Sequence, residues 1–448
     1  MTDRGTRVLR LDALARVEGE AALYLRLKEE RVTEARLRIY EPPRFFEAFL
    51  IGRAHTEPPD ITARICGICP VAYQMSACLA IENACGVTVD GPLAELRRLL
   101  YCGEWIESHS LHIHLLHAPD FLGRADVVEL ARDQRTAVER GLRIKQTGNA
   151  ILEQLGGRPI HPVNIRVGGF YRTPDPAELR PLAERLRQAR DDAWETVRWV
   201  SAFDFPDAAS DHDLFALREP GRYAIDSGTP TVVAPHGRTP APREFPVRDL
   251  EQHVREEQVP HSTALTAVLD GRRCLTGPLA RYAVSGRWLH PVAAEAARAA
   301  GLGDPAAGDI CHNPFRSIVV RAVEVVHAVE EALRIIQDYE RPARPALDVV
   351  PRRAAGAGAT EAPRGLLYHR YALAEDGTLT AARIIPPTAQ NQTAIEEDVR
   401  RAVQARLRLR GPAPGDEELT HLCERAIRNH DPCISCAAHF LDLTVDRA

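Results

Sequence analysis

Two pairs of cysteines near opposite ends of the chain have a spacing that suits metal binding. Cys66 and Cys69 lie in the segment RICGICPVAY, and Cys433 and Cys436 lie in DPCISCAAH. A CxxC spacing lets two thiolates reach the same metal ion. The two pairs together could therefore supply four soft sulfur ligands to one metal centre.

A single CxxC pair is also typical of a structural zinc knuckle or a redox dithiol. Structural zinc sites commonly draw both pairs from nearby sequence, whereas Cys433 follows Cys69 by 364 positions. Length alone would favour about three domains. A site shared by the two chain ends instead predicts a single body, residues 1–448.

The spacing of apolar residues predicts the elements that must bring the cysteines together. Alternating apolar and polar residues over 20–40 predict a strand hairpin. Apolar residues then recur every three or four positions, which predicts helices over 71–85, 92–116 and 137–157 and longer helices from Asp175 and from Asn313. The helix from Asn313 is so densely apolar that we expect it at the centre.

The remaining segments favour strands and loops. Short β-like runs with Pro and Gly predict a sheet-containing insertion over residues 205–290. Residues 341–363 are rich in Pro, Ala and Gly, which predicts an extended loop leading into a second hairpin over 365–385. The whole pattern predicts an α+β fold that is mostly helical, with a central bundle of long helices and small peripheral sheets.

The bulk composition excludes several classes of protein. The chain has 448 residues, 45% of them hydrophobic, and its formal net charge of -5 gives no basic footprint for nucleic acid. Ten cysteines are too sparse for a disulfide framework. The N-terminal segment has no apolar run of signal-peptide length, and no run approaches the roughly 18 apolar residues that span a bilayer. We therefore expect a cytoplasmic protein without direct membrane insertion.

The residues around the cysteines narrow the interpretation. The pattern R-x-C-G-x-C, with D-P-C-x-x-C-x-x-H near the end, resembles the large subunit of nickel-iron hydrogenases, and the likeness extends over most of the chain. The segments PRFFE and CPVAYQ look most like the soluble sulfhydrogenase or NADP-linked cytoplasmic class. The resemblance implies reversible heterolytic cleavage of H2, with electrons passed to a partner and on to NAD(P) or a sulfur acceptor.

The resemblance also implies how the cysteines share the metals. In that family the first cysteine of each pair binds nickel terminally, and the second bridges nickel to an iron that carries carbon monoxide and cyanide. By this carry-over Cys66 and Cys433 are terminal ligands, and Cys69 and Cys436 bridge. The implied cofactors are nickel, iron with these diatomic ligands, and magnesium.

A carboxyl group beside a terminal cysteine is the expected proton relay. The segment RVEG resembles the family's R-x-E-G segment, which makes Glu18 the relay next to Cys433, because heterolytic cleavage of H2 releases a proton. Without the cysteines, Glu18 would be interpreted as a surface glutamate before a strand. The family usually continues with His, whereas this chain has Glu20, which leaves the next relay step open. A second departure is Tyr73, where many relatives have His.

A magnesium site is implied at three further positions. The carboxylate of Glu47 in PRFFE, the backbone carbonyl of Ile384 and the imidazole of His439 correspond to the family's magnesium ligands. A hard cation prefers oxygen ligands and keeps some of its waters. The alternative for Glu47 is an exposed helix carboxylate.

Three more polar residues are assigned from the resemblance. Arg364 in EAPRG is expected over the open metal position, near a cyanide, where its guanidinium could donate hydrogen bonds. Thr388 in IIPPTAQNQ is expected to donate a hydroxyl hydrogen bond to the other cyanide. Asp120 in HAPDF is expected either close around the site or as a helix cap.

The partners follow from what the chain lacks. The six other cysteines have no cluster spacing, so we expect electrons to leave through a small subunit with iron-sulfur clusters and a flavin or NAD(P)-binding subunit behind it. A maturation protease is expected to remove residues 440–448, FLDLTVDRA, after metal insertion. The alternative is a retained tail that forms a short strand.

Two rival functions stay open at this point. A structural relative, like the quinone-side subunit of respiratory complex I, shares the architecture but lacks the metal cysteines, all four of which are present here. A zinc-stabilised binding protein is the other rival. Elemental analysis separates them: nickel with iron, no metal, or zinc alone.

Overall fold

The computed structural model describes residues 6–235, 242–409 and 413–439. The α-helices are α1 Phe46–Leu50, α2 Pro58–Thr62, α3 Pro70–Cys85, α4 Gly91–Leu111, α5 Ala118–Phe121, α6 Val127–Asp133, α7 Arg135–Gly156, α8 Pro176–Ser201, α9 Leu250–His253, α10 Pro278–Ser285, α11 Pro291–Ala299, α12 Ser317–Gln337, α13 Pro387–Arg408, α14 Asp416–Arg428 and α15 Ile434–Ala437. The strands are β1 Thr6–Leu11, β2 Ala21–Lys28, β3 Arg31–Ile39, β4 Ile165–Arg166, β5 Gly169–Phe170, β6 Asp213–Arg218, β7 Thr229–Val233, β8 Arg243–Glu244, β9 Val254–Gln258, β10 Leu265–Leu269, β11 Cys274–Leu275, β12 Ala354–Ala362, β13 Gly365–Leu373 and β14 Leu379–Ile385. The predicted fate of the tail 440–448 lies outside the described residues.

Long helices form the centre of the fold, as predicted. Helix α12 is buried along most of its length and packs against α4 and α8. Helices α4 and α7 approach closely because glycines face each other: a Cβ on Gly148 would lie 2.6 Å from the carbonyl oxygen of Gly103. The predicted helix over 92–116 is α4 followed by a π-helical turn, His112–His117. Such turns occur mostly as single insertions, often at functional sites.

The strands form small sheets, four of them antiparallel throughout. The orders are β1-β2-β3, β4-β5, β10-β9, β11-β6-β7-β8 and β12-β13-β14, and β11 runs parallel to β6. The predicted hairpins over 20–40 and 365–385 are β2-β3 and β13-β14. Among the described helices, none has both the length and the apolar content needed to cross a membrane.

The expectation of an extended loop over 341–363 is wrong for its second half. Residues 354–362 form β12, which pairs with β13 and lies against α3. This close approach needs glycine, because a Cβ on Gly356 would lie 2.3 Å from both the carbonyl oxygen of Ala80 and the amide nitrogen of Ala84. Alanine and glycine have low strand propensity, so the sequence pattern concealed the strand. The sheet β12-β13-β14 was expected at the periphery, but β12 and β13 are largely buried inside the fold.

The sheet-containing segment 205–290 is present and holds β6–β11, but it also contains the buried helix α10, which the sequence pattern did not predict. Its apolar side chains Phe215 and Leu217 pack in one cluster with Leu366 and Tyr368 of β13. The segment is therefore packed on the interior sheet. That the whole chain forms one domain stays a prediction, which this shared cluster supports.

The contact between β12 and α3 generates a stability prediction. Replacing Gly356 with Ala should lower the free energy of unfolding by about 1–3 kcal/mol, the usual cost of an extra methyl group in a packed core. Urea unfolding followed by circular dichroism measures it. Gly415→Ala is the control, since a Cβ there meets nothing within 4 Å. Equal stability of the two variants would contradict the packing described.

Candidate metal centre

The two cysteine pairs meet in the interior. The Sγ atoms of Cys66, Cys69, Cys433 and Cys436 all lie within 4.8 Å of one another, and none of the four residues is more than 2% exposed. Across the two pairs, Cys66 is 3.5 Å from Cys433 and Cys69 is 3.5 Å from Cys436. No other group of three or more such ligand atoms occurs in the described part of the chain.

Local backbone structure orients the side chains of the first cysteine pair. Cys66 has an extended backbone and follows a short 3-10 turn, and Cys69 directly precedes α3, whose first residue is Pro70. The backbone N–H groups of Ile68 and Cys69 donate to the Cys66 sulfur at 3.3 and 3.4 Å. Proline suits the first position of a helix because the amide it lacks would have no partner there.

A carboxylate from another helix holds the start of α3. Glu104 of α4 accepts hydrogen bonds from the N–H groups of Val71 at 2.6 Å and Ala72 at 3.2 Å. A negative group at a helix N-terminus satisfies free amides and complements the helix dipole. Glu104 was not predicted as a site residue, because no motif around it in the sequence indicates a contact with Val71, 33 residues earlier.

The second pair is held by the N-terminal segment. The Ile434 N–H donates to the backbone carbonyl of Glu18 at 3.0 Å, and the Glu18 carboxylate oxygen Oε2 accepts from the Cys433 thiol and the Ser435 N–H, both at 3.0 Å. The Thr388 hydroxyl oxygen accepts from the Cys433 N–H at 3.0 Å. Glu18 and Thr388 are thus both beside Cys433, and the Thr388 hydroxyl hydrogen is left for another acceptor.

The electrostatics of the thiols and of Glu18 are linked. Hydrogen bonds from neighbouring thiols, above all Cys433, hold the pKa of Cys66 well below its usual range, whereas burial raises the pKa of Cys433. Burial, followed by the charge of Cys66, raises the pKa of Glu18, although hydrogen bonds from Ser435 and Cys433 oppose this rise. Glu18 is therefore a carboxyl group in contact with a thiol and able to hold a proton.

Arg364 lies next to the thiols with one side of its guanidinium free. Its Nε donates to the backbone carbonyl of Asp431 at 2.9 Å, and its Nη2 lies 3.2 Å from the Asp431 carboxylate. Burial alone would lower the pKa of Arg364, but Asp431 and the thiols hold it well above its ordinary value. Its Nη1 is buried without a hydrogen-bond partner among the described residues. An unpaired buried donor indicates a ligand or water beside it.

Asp120 does not cap a helix. Helix α5 begins after His117, and Asp120 lies inside it. Its Oδ1 accepts from Arg16 at 2.5 Å and from Arg428 at 2.8 Å. Asp120 therefore fastens the RVEG segment, which carries Glu18, to α14.

The three residues expected at a magnesium site lie together. Burial lowers the pKa of His439 to about 4, so its ring is neutral and carries a single N–H. Assigning that proton to Nδ1, 2.6 Å from the Cys436 carbonyl, leaves the Nε2 lone pair facing the carbonyl of Ile384 at 3.1 Å and the Glu47 carboxylate at 3.9 Å. Three electron-pair donors then converge on one point. This donor set fits a hard cation.

Tyr73 and His369 form a buried ring contact, and Tyr73 lies near Cys69 and Cys436. Their rings are 5.6 Å apart, and both are buried. Burial, followed by the charges of Cys436 and Cys69, raises the pKa of Tyr73 well above its usual value. Sequence reasoning marked Tyr73 as a departure but gave no sign of His369, which comes from a distant strand.

The buried thiol quartet fits a thiolate-bound metal centre. Four buried sulfurs cannot all carry charge without a cation, because burial disfavours each thiolate and like charges add to the penalty. Arg364 offers only one positive charge at this position. Soft thiolates that are able to bridge suit nickel and iron.

Comparison with known proteins agrees with this site. The family model for nickel-dependent hydrogenase matches residues 44–150 and 316–439, which include both cysteine pairs. Sulfhydrogenase 1 subunit alpha of Pyrococcus furiosus is 32% identical over 97% of this chain and 98% of its own length. The beta subunit of the NAD-reducing hydrogenase HoxS of Cupriavidus necator is 26% identical over 97% and 95%.

A solved structure extends the agreement to the fold. The crystal structure of an NAD+-reducing NiFe-hydrogenase in the H2-reduced state superposes with a TM-score of 0.88 at 29% identity, and the match covers 97% of this chain and 100% of that one. Sequence, fold and the buried thiol quartet therefore lead to one conclusion: the chain belongs to the nickel-dependent hydrogenase family, as a catalytic large subunit.

Proposed function

We propose that Cys66 and Cys433 bind nickel terminally and that Cys69 and Cys436 bridge it to iron. The observation that carries this proposal is the convergence of four buried sulfurs from both chain ends within 4.8 Å. When bound, the nickel-iron centre, with carbon monoxide and cyanide on the iron, supplies heterolytic cleavage of H2. The protein's own residues hold the ligands, move the proton and exclude water.

The carboxyl group of Glu18 takes the proton from the Cys433 thiol. Their 3.0 Å contact is short enough for direct transfer. The raised pKa of Glu18 supports the role, because a carboxyl that protonates more readily is a better acceptor at neutral pH.

Arg364 and Thr388 would hold the diatomic ligands of a bound iron. The free Nη1 of Arg364 supports donation to one cyanide, and the unused hydroxyl hydrogen of Thr388 supports donation to the other. The charge of Arg364, beside the thiols, would polarise a substrate bound at the metal centre.

Glu47, the backbone carbonyl of Ile384 and His439 would hold magnesium, and a bound ion would fasten the C-terminal segment that carries the second cysteine pair. Buried carboxylates support this role: burial raises the pKa of Glu47, and also raises the pKa of nearby Glu256 to about 8. Arg383 lies 2.6 Å from the Glu256 carboxylate and 3.9 Å from that of Glu47 and offsets part of this burial. A divalent cation at Glu47 would add further positive charge.

Electrons leave to a small subunit with iron-sulfur clusters. The relatives named as sulfhydrogenases and as an NAD-reducing hydrogenase support a flavin subunit that passes electrons to NAD(P) or a sulfur acceptor. A maturation protease acting on residues 440–448 and a cytoplasmic location stay predictions.

Loss of a bridging sulfur tests the metal assignment. Cys69→Ser or Cys436→Ser should abolish hydrogen uptake and deplete nickel and iron, because an alcohol does not replace a bridging thiolate. Elemental analysis and a hydrogen-uptake assay measure both effects. Cys311→Ser, outside the thiol quartet, is the control. Normal metal content with retained activity in either bridging variant would refute the assignment.

Removal of the relay carboxyl tests the role of Glu18. Glu18→Gln keeps the shape but cannot accept a proton, so hydrogen-deuterium exchange should fall by about 10²–10⁴-fold. Nickel and iron content should stay at the wild-type level. Exchange at the wild-type rate would rule out Glu18 as the relay.

The magnesium assignment is tested at Glu47. Glu47→Gln should remove magnesium from the purified protein and lower its melting temperature, because a hard cation loses its charged ligand. Glu375→Gln, at an exposed position, should change neither quantity. Elemental analysis that finds a full equivalent of magnesium in Glu47→Gln would contradict this site.

A further inference from the structure

Arg321 is a buried arginine whose charge has no direct partner. It lies on α12, is 1% exposed, and donates through Nη2 to the backbone carbonyl of His430 at 3.3 Å. Its Nε and Nη1 have no hydrogen-bond partner within the described part of the chain, and no ion pair of the described residues includes Arg321. Because a buried charge is costly unless it is paired, this arginine requires an explanation.

The acids whose charges act on Arg321 are engaged by other arginines. Glu324 pairs with Arg281 at 2.7 Å, and the Asp431 carboxylate lies 3.2 Å from Arg364. Burial lowers the pKa of Arg321 to about 10, and the charges of Arg281 and Arg364 add to this shift, whereas Asp431 and Glu324 oppose it. The protein therefore compensates the charge of Arg321 only in part.

Arg321 and Asn429 line one small cavity. The cavity lies between the start of α10, the start of α12 and the turn after α14, and all the residues that line it are buried. The Asn429 residue is 2% exposed, and neither its Nδ2 nor its Oδ1 has a hydrogen-bond partner among the described residues. Two buried polar side chains with unused donors at the same cavity indicate an occupant.

The size of the cavity limits what this occupant can be. Its volume of about 10 Å³ is close to the minimum for one water molecule. Phosphate and sulfate are too large, so the candidates are one water molecule and one monatomic anion. A chloride ion is only slightly larger than water, and a small rotation of the Asn429 side chain, whose amide has no hydrogen-bond partner among the described residues, gives the extra room.

The electrostatics of the cavity favour the anion. Helix α10 begins at Pro278 and helix α12 at Ser317, and both residues line the cavity, so the positive ends of two helix dipoles lie beside it. A water molecule would satisfy the hydrogen bonds but not the charge of Arg321, whereas an anion does both.

We propose that this cavity binds one halide ion, with chloride as the physiological one, between Arg321 and Asn429. The Arg321 Nε and Nη1 and the Asn429 Nδ2 donate hydrogen bonds to the ion. The bound ion joins α12 to the turn that leads into the second cysteine pair, where Ser317 already donates its hydroxyl to the Asn429 carbonyl at 2.6 Å. The ion thus stabilises the packing of this turn and takes no part in bond making or breaking.

Crystals of the purified hydrogenase complex grown in bromide test the site directly. Anomalous diffraction at the bromine absorption edge should give a peak within hydrogen-bond distance of Arg321 and Asn429 in the wild type. Asn429→Asp should give no peak, because its carboxylate repels the ion. Water density without an anomalous peak in the wild type, or an unchanged peak in Asn429→Asp, would overturn the proposal.

The melting temperature in solution tests whether chloride binds outside the crystal. Replacing gluconate with chloride, from about 10 to about 200 mM at constant ionic strength, should raise the melting temperature of the wild-type complex by a few degrees, because a ligand that binds only the folded state stabilises it. Arg321→Gln should abolish this rise. Differential scanning calorimetry measures it, and a wild-type melting temperature that is independent of chloride would contradict the site.

Two further variants complete the test. Arg198→Gln changes an exposed arginine on α8 that pairs with Glu195, and it should keep the chloride response. Equal loss of the response in both arginine variants would assign it to the protein surface and overturn the proposal. If Arg321→Gln does not fold, Asn429→Asp decides: its carboxylate takes the place of the ion, so its melting temperature should be independent of chloride, and a response of wild-type size would overturn the site.

Discussion

The four cysteine sulfurs are buried at one point, and this burial dictates what must surround them. Each thiolate loses hydration in the interior, and each repels the others, so the arrangement needs positive charge and donated hydrogen bonds around it. The backbone N–H groups of Ile68 and Cys69 donate hydrogen bonds to the Cys66 sulfur. The guanidinium of Arg364 supplies positive charge beside the thiols. A metal centre bound by all four sulfurs would offset the remaining penalty.

Fastening contacts between distant segments hold the sulfurs in place. Glu104 of α4 satisfies the first amides of α3, and Glu18 bonds the second cysteine segment through both backbone and side chain. Asp120 joins Arg16 to Arg428, which fixes the loop that presents Glu18. Removing one partner of such a buried contact leaves an unpaired polar group, at a cost of about 1–3 kcal/mol. The site is therefore positioned by the same contacts that stabilise the fold.

Buried charges beneath the site position Arg364. Arg281 pairs with Glu324 at 2.7 Å and with Glu361 at 3.2 Å, and it donates to the backbone carbonyl of Pro363, next to Arg364. Buried ion pairs add little net stability, but breaking one costs about 3–5 kcal/mol, because a charge is left without its partner. Their effect here is geometric: they fix the EAPRG turn and so direct the guanidinium of Arg364 toward the thiols.

The four cysteines could be identified as candidate ligands from the sequence alone, because CxxC spacing and its flanking residues are local patterns that are visible without a fold. The same holds for the long amphipathic helices. The sequence pattern did not predict β12, because its small residues are explained only by the close approach of this strand to α3. It also did not indicate Glu104, Ser435, Glu41 and His369, whose partners are distant in the chain. Which carboxyl group accepts from which amide depends on packing between distant elements, and such pairs leave no periodic pattern in the sequence.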